Sequence, residues 1–137
     1  MKTLYLVVAF LITNSLFSQE IKIKKDVVYV DGKECLKIDG DANNVSFYDL
    51  EGNEIIFLKF IHNSKYGEIY NKITFLKQKK SFTSKSYIFT KNLLIKKLIN
   101  DKTLIDCQLD DEKVENFVMK YDEDVEKQNI IIEIKTN

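Results

Sequence analysis

VVYVDGKECLKI, residues 27–38, is the stretch whose reading decides the fold. Two runs rich in β-branched and apolar residues, Val27–Val30 and Lys33–Ile38, flank Asp31-Gly32. That dipeptide tolerates positive φ at both central positions, as a two-residue hairpin turn demands. The stretch therefore predicts an antiparallel strand pair. Alternation places Leu36 and Ile38 on one face and Cys35 on the other. The same texture recurs in FYDLEGNEIIFLKF, residues 47–60.

Working outward, Ile21 and Ile23 alternate with lysines ahead of the hairpin. After it come a polar loop (Gly40–Asn44), a strand (Val45–Leu50) and a turn at Glu51-Gly52-Asn53. The run EIIFLKFI, Glu54–Ile61, is apolar on both faces, which predicts a central strand covered on two sides. A long strand follows from Glu68 to Lys77, and a weaker one is expected over Phe82–Phe89. The period then changes. Thr90 is placed to cap a helix over Lys91–Asn100 with Leu94, Ile95, Leu98 and Ile99 as its apolar stripe. Asp101–Leu109 reads as an extended link. Asp110 or Asp111 is placed to cap a second helix, Glu112–Tyr121, with Val114, Phe117, Val118 and Tyr121 on one side. Ile130–Lys135, IIIEIK, reads as a last strand. The expected architecture is α+β, an antiparallel meander of about six or seven strands followed by two amphipathic helices on one face. The alternative is a closed, barrel-like meander with the helices as a lid.

Ahead of all this, Lys2 precedes an apolar run from Leu4 to Phe17, and Ser18 is a small residue in front of Gln19. A basic start, an apolar stretch and a small-residue exit form the secretory pattern. The run falls short of the roughly 20 apolar residues a spanning helix needs. Residues 1–18 are therefore expected to be a cleaved signal peptide, and residues 19–137 one β-rich domain in the periplasm or secreted medium.

The remaining chain suffices for one core. Every basic residue is Lys, and Arg, Pro and Trp are absent. Lacking Arg, the chain has no bidentate fork for phosphate or carboxylate, which argues against nucleic acid as a partner. Charge is uneven: Lys59–Lys102 is rich in lysine and the chain after Thr103 is acidic. One expectation is that these halves complement each other in the fold. The other is that Lys72, Lys77, Lys79, Lys80 and Lys85, intermingled with Tyr66, Tyr70, Phe82, Tyr87 and Phe89, face an anionic polymer or surface.

Candidate sites are sparse. Cys35 and Cys107 can form a disulfide in an oxidising compartment, or serve as two small buried hydrophobes. Asp39, Asp41 and Asn43 alternate as in the first half of a calcium loop. Asn44 and Leu50, however, stand where that loop needs Gly and Glu. His62 is the only histidine, with no nucleophile or ligand set of suitable spacing. The acidic runs Asp110-Asp111-Glu112 and Asp122-Glu123-Asp124 are explained by helix capping and solvation as well as by catalysis. No glycine-rich phosphate loop, nucleophile elbow or C-x-x-C is present. The pattern gives no catalytic residue, no cofactor and no metal centre.

The segments VVYVDGKECLKI, YDLEGNEIIFLKF and DDEKVENFVMKY, with the signal ending at Ser18-Gln19, resemble small exported proteins of flavobacteria (Bacteroidota). The resemblance implies compartment and source class, and no activity. The expectation is a non-enzymatic binding or interaction module, its partner another envelope protein or a polysaccharide. The alternatives are a small envelope hydrolase or other enzyme, and a binder of anionic polymer through residues 59–102.

Overall fold

In the computed structural model, which describes residues 19–65 and 67–127, short turns set the topology. Asp31 and Gly32 both take positive φ, 51° and 80°, as the hairpin dipeptide requires. Lys25-Asp26 makes the same kind of turn at φ 48° and 63°, without a glycine. Strands β1 (Ile21–Lys24), β2 (Val27–Val30), β3 (Lys33–Gly40), β4 (Asn44–Tyr48), β5 (Glu54–Ser64), β6 (Gly67–Phe75) and β7 (Lys80–Ser84) follow one another. They pair in sequence order as a single antiparallel sheet, β1 at one edge and β7 at the other. The sheet is thus an open meander; β7 does not return to β1.

The helical half follows: α1 (Lys91–Asn100), a small hairpin of β8 (Leu104–Ile105) and β9 (Gln108–Leu109), and α2 (Asp111–Tyr121). Both helices start where a side-chain oxygen meets an unpaired backbone N–H. Thr90 Oγ1 accepts from Leu93 N at 3.2 Å, and Asp110 Oδ1 from Lys113 N at 2.9 Å. Lys97 and Lys120 lie in the last turns, where the helix dipole favours positive charge. No described helix is long and apolar enough to cross a membrane.

One face of the sheet carries the core. Val28, Leu36, Ile38, Val45, Phe47, Ile56, Leu58, Ile73 and Phe75 meet Leu94, Ile95, Leu98, Val114 and Phe117 from the helices. Beside the β7 edge lies an aromatic group. Phe82 packs edge-to-face on Phe89 and Phe117, with ring centroids 5.7 and 5.8 Å apart, an arrangement favoured by the ring quadrupoles. Phe82, Tyr87 and Phe89 therefore pack among the core residues and do not form an exposed platform for stacking sugars or bases.

Three expectations need correcting. Cys35 does not face away from Leu36. The β2–β3 register shifts between Val28 and Tyr29, which pair with Leu36 and Glu34, so Cys35 is the extra residue of a bulge. A bulge breaks strict alternation, and both Cys35 and Leu36 are buried in the same cluster. Second, the strand expected over Phe82–Phe89 stops at Ser84 and bends. Third, the link over Asp101–Leu109 folds back on itself as the β8–β9 hairpin. The expected signal peptide and the strand Ile130–Lys135 lie outside the described residues, as does Tyr66.

Candidate functional site

Three turns converge at one end of the molecule: β4–β5, β6–β7 and β8–β9. Between them is a cleft of about 410 Å³ lined by Cys35, Leu50, Ile55, Gln78, Cys107 and Leu109, among others. Its position follows from local backbone chemistry. Ile55 is skipped when the β4–β5 register shifts between Phe47 and Tyr48, so a second bulge stands near the one at Cys35. The Cys35–Cys107 disulfide, with Cα atoms 5.2 Å apart, ties the sheet to the β8–β9 turn. Asp106 and Cys107 both adopt positive φ there, 50° and 63°. Asp tolerates that conformation, while Cys107 takes it at the crosslink.

The β4–β5 turn forms one wall. Asp49 Oδ1 accepts from Asn53 N at 2.8 Å and Glu51 N at 3.0 Å, while Asp49 Oδ2 accepts from Asn53 Nδ2 at 3.0 Å. The Asn53 side chain, then these backbone amides, hold the Asp49 carboxyl below its usual range. This rigid turn lifts Leu50 to the cleft's lip, 49% exposed. Gln78 supplies another wall. Its Nε2 donates to Asp111 Oδ1 at 2.9 Å, binding the β6–β7 turn to the start of α2. Its Oε1 is buried without a hydrogen-bond partner among the described residues. Glu51 and Asp106 add carboxylates and Lys77 a single ammonium. The cleft thus offers an apolar floor and a mostly acidic rim. The strand expected over Val45–Leu50 stops at Tyr48, so Leu50 falls in the turn instead of closing a strand.

A second concavity, of about 360 Å³, lies between the β3–β4 loop and the start of α1, lined in part by Asp26, Asp39, Asp41, Phe60 and Lys91. The calcium candidates lie in or beside this loop, and its own backbone occupies most of them. Asp41 Oδ1 accepts from Asn43 N at 2.8 Å and Asn44 N at 2.9 Å, which lowers its pKa. Asp39 Oδ1 accepts from Gly40 N at 2.8 Å, and Asn43 Oδ1 lies 2.9 Å from His62 Nε2. No group of three or more His, Cys, Asp or Glu side chains among the described residues is arranged to hold a metal ion. His62 is exposed, and its ring meets Asn43 Oδ1.

The lysine candidates are dispersed. Lys72 pairs with Glu126 at 3.3 Å, and Lys80 with Glu115 at 4.0 Å. Lys77 lines the cleft, Lys79 sits in the β6–β7 turn at φ 54°, and Lys85 in the bend after β7. At Lys72 and Lys80, acids from the chain after Thr103 meet lysines of the Lys59–Lys102 region.

The acidic run after α2 builds a clasp that the sequence did not announce. The Glu123 carboxylate accepts from Ser84 Oγ at 2.7 Å, from Lys85 N and Ser86 N at 2.9 Å each, and from Ser86 Oγ. Burial opposes its ionisation, but the Ser86 and Ser84 hydroxyls and the two amides outweigh burial and bring its pKa to about 2. This is why the chain bends after Ser84 instead of continuing as a strand.

No family model, no curated protein and no solved structure matches this chain.

Proposed function

We propose that this chain is an exported, non-enzymatic binding module whose cleft at the disulfide end receives a protein partner. The partner presents an apolar side chain next to a cationic or amide donor. The single observation that carries this is the apolar side chain of Leu50, 49% exposed at the lip of a cleft whose walls include Ile55 and Leu109. Glu51 and Asp106 on the rim favour a donor that carries positive charge. Export is supported by the N-terminal pattern of residues 1–18 and by the resemblance to exported flavobacterial proteins.

The test is an NMR titration of isotope-labelled protein with a short blocked peptide, acetyl-Lys-Leu-Lys-amide, against acetyl-Glu-Leu-Glu-amide. The lysine peptide should shift the Gln78 side-chain amide and the backbone amides of Leu50 and Gln108. Equal shifts by both peptides, or shifts confined to residues elsewhere, would overturn the reading.

A further inference from the structure

The core occupies one face of the sheet; the other face has a cover that begins and is not completed within the described residues. Two buried apolar side chains, Tyr70 at 3% exposure and Val125 at 4%, stand outside the main core cluster. They lie on the second face. Tyr70 alternates with the core residue Ile73 through Asn71 and Lys72, and the Tyr70 hydroxyl donates to Glu126 Oε1 at 3.0 Å. The chain arrives there by crossing the β7 edge. Thr83 N donates to Asp122 Oδ1 at 3.2 Å, Glu123 N donates to Thr83 O at 2.8 Å, and Val125 N donates to Thr83 Oγ1 at 2.9 Å. By Glu126 the strap has passed β7 and stands over β6, where Lys72 meets it.

We propose that the rest of this second face, from β5 to β2, is the docking surface for residues 128–137 of the same chain, QNIIIEIKTN. The surface ahead of the strap is semi-apolar: Ile61 and Phe57 on β5, Tyr48 on β4, Tyr29 and Val27 on β2, all half-buried and none in the core cluster. Cross-strand pairing alternates these apolar side chains with polar ones across the face. Ile61 opposes Tyr70, Phe57 lies between Ser46 and Thr74, and Tyr48 opposes Lys37. The four strand spacings from β6 to β2 amount to about 19 Å. Ten residues reach about 33 Å extended or about 15 Å as a helix, so the segment is long enough in either form to cross most of the face. Its composition suits the task. Ile130, Ile131, Ile132 and Ile134 are four large apolar side chains in five positions, and Glu133 is a carboxylate for a face that carries Lys37 and Lys59. The two-sided apolar character of β5 then has a physical reason: Ile56 and Leu58 bury against the helices, and Phe57 and Ile61 against the end of the chain. This inference does not depend on the cleft, which lies at the end of the sheet.

The experiment is methyl and aromatic NMR on the full chain. Nuclear Overhauser contacts are expected from the methyls of the isoleucines at 130–134 to the rings of Phe57 or Tyr48. Deleting residues 128–137 should shift the Phe57 and Tyr48 ring signals while those of Ile56 and Leu58 hold their positions. Ile132→Lys in the full chain should reproduce the Phe57 shift. Absence of these contacts in a folded full chain would overturn the proposal. So would contacts that appear only between differently labelled copies, which would make the face a dimer interface. Contacts from residues 4–17 instead would overturn it as well.

Discussion

Glu123 and Ser84 are joined by a 2.7 Å hydrogen bond across a separation of 39 residues. Through it the segment following α2 fixes the point at which β7 ends. Ser84 is fully buried and Glu123 half-buried, so the carboxylate brings charge to the sheet edge in exchange for four donors. A carboxylate held this way is stabilising only while ionised. Glu123→Gln should therefore lower unfolding free energy at neutral pH by about 1.5–3 kcal/mol, the range for hydrogen bonds to a charged group. Because the folded pKa of about 2 lies below the ordinary value of 4.5, the contribution is complete above pH 4.5 and fades as pH falls toward 2. Urea melts at pH 7, 4.5 and 3 should show the variant and the parent converging in acid. A constant gap across that range would show that the charge is not the cause.

The disulfide makes a different prediction, because it acts mostly on the unfolded chain. Cys35 and Cys107 are separated by 72 positions, and closing a loop of that size restricts the unfolded ensemble by an amount worth about 4 kcal/mol. The double variant Cys35→Ser, Cys107→Ser should lose stability of that order in denaturant melts. It should also release the β8–β9 turn, whose central residues take positive φ beside the crosslink. Hydrogen exchange at Gln108 reads that release directly. A variant that lost stability but kept Gln108 protection would place the effect elsewhere.

Two glycines, Gly32 in a hairpin turn and Gly40 at the end of β3, separate backbone strain from steric contact. Gly32 has φ +80° and open space around it, whereas a Cβ on Gly40, at φ +134°, would stand 2.0 Å from the Asn44 carbonyl oxygen. Gly32→Ala should cost about 1 kcal/mol from conformation alone. Gly40→Ala has the same kind of strain and must also push the β3–β4 loop apart, so it should cost about 2–3 kcal/mol or more. Thermal melts of the two variants side by side test the ordering; equal costs would mean the loop gives way freely.

The meander was legible because its signals are local. Asp31-Gly32 specifies its turn by itself, and Thr90 and Asp110 announce the helices they cap. What stayed hidden depends on residues far apart in the chain. The bulge that swings Cys35 toward the core cannot be seen in ECLKI, since alternation is the only rule that a short strand offers. Nor does the sequence SFTSKSYIF show that a glutamate from beyond α2 will end its strand. The cleft was missed for the same reason. Its walls come from three turns, and Leu50, which alternation assigns to the end of a strand, stands at the tip of one of them because β4 stops at Tyr48.

That misplaced leucine gives the last prediction, in which stability and function should separate. Phe82 is 2% exposed and packs against Phe75, Phe89, Phe117 and Tyr121. Phe82→Ala removes a ring from that group and should cost about 3–5 kcal/mol, the usual loss for a buried aromatic. Leu50 is 49% exposed, and nothing in the fold requires it to be apolar. Leu50→Ser should therefore leave the melting curve within about 0.5 kcal/mol of the parent, while weakening the peptide-induced shifts at Gln78 and Gln108. If Leu50→Ser instead unfolds the protein as Phe82→Ala does, Leu50 is a structural residue and the cleft loses its apolar lip as an argument. If stability holds and the peptide response falls, the exposed leucine is kept at the turn tip for contact with a partner.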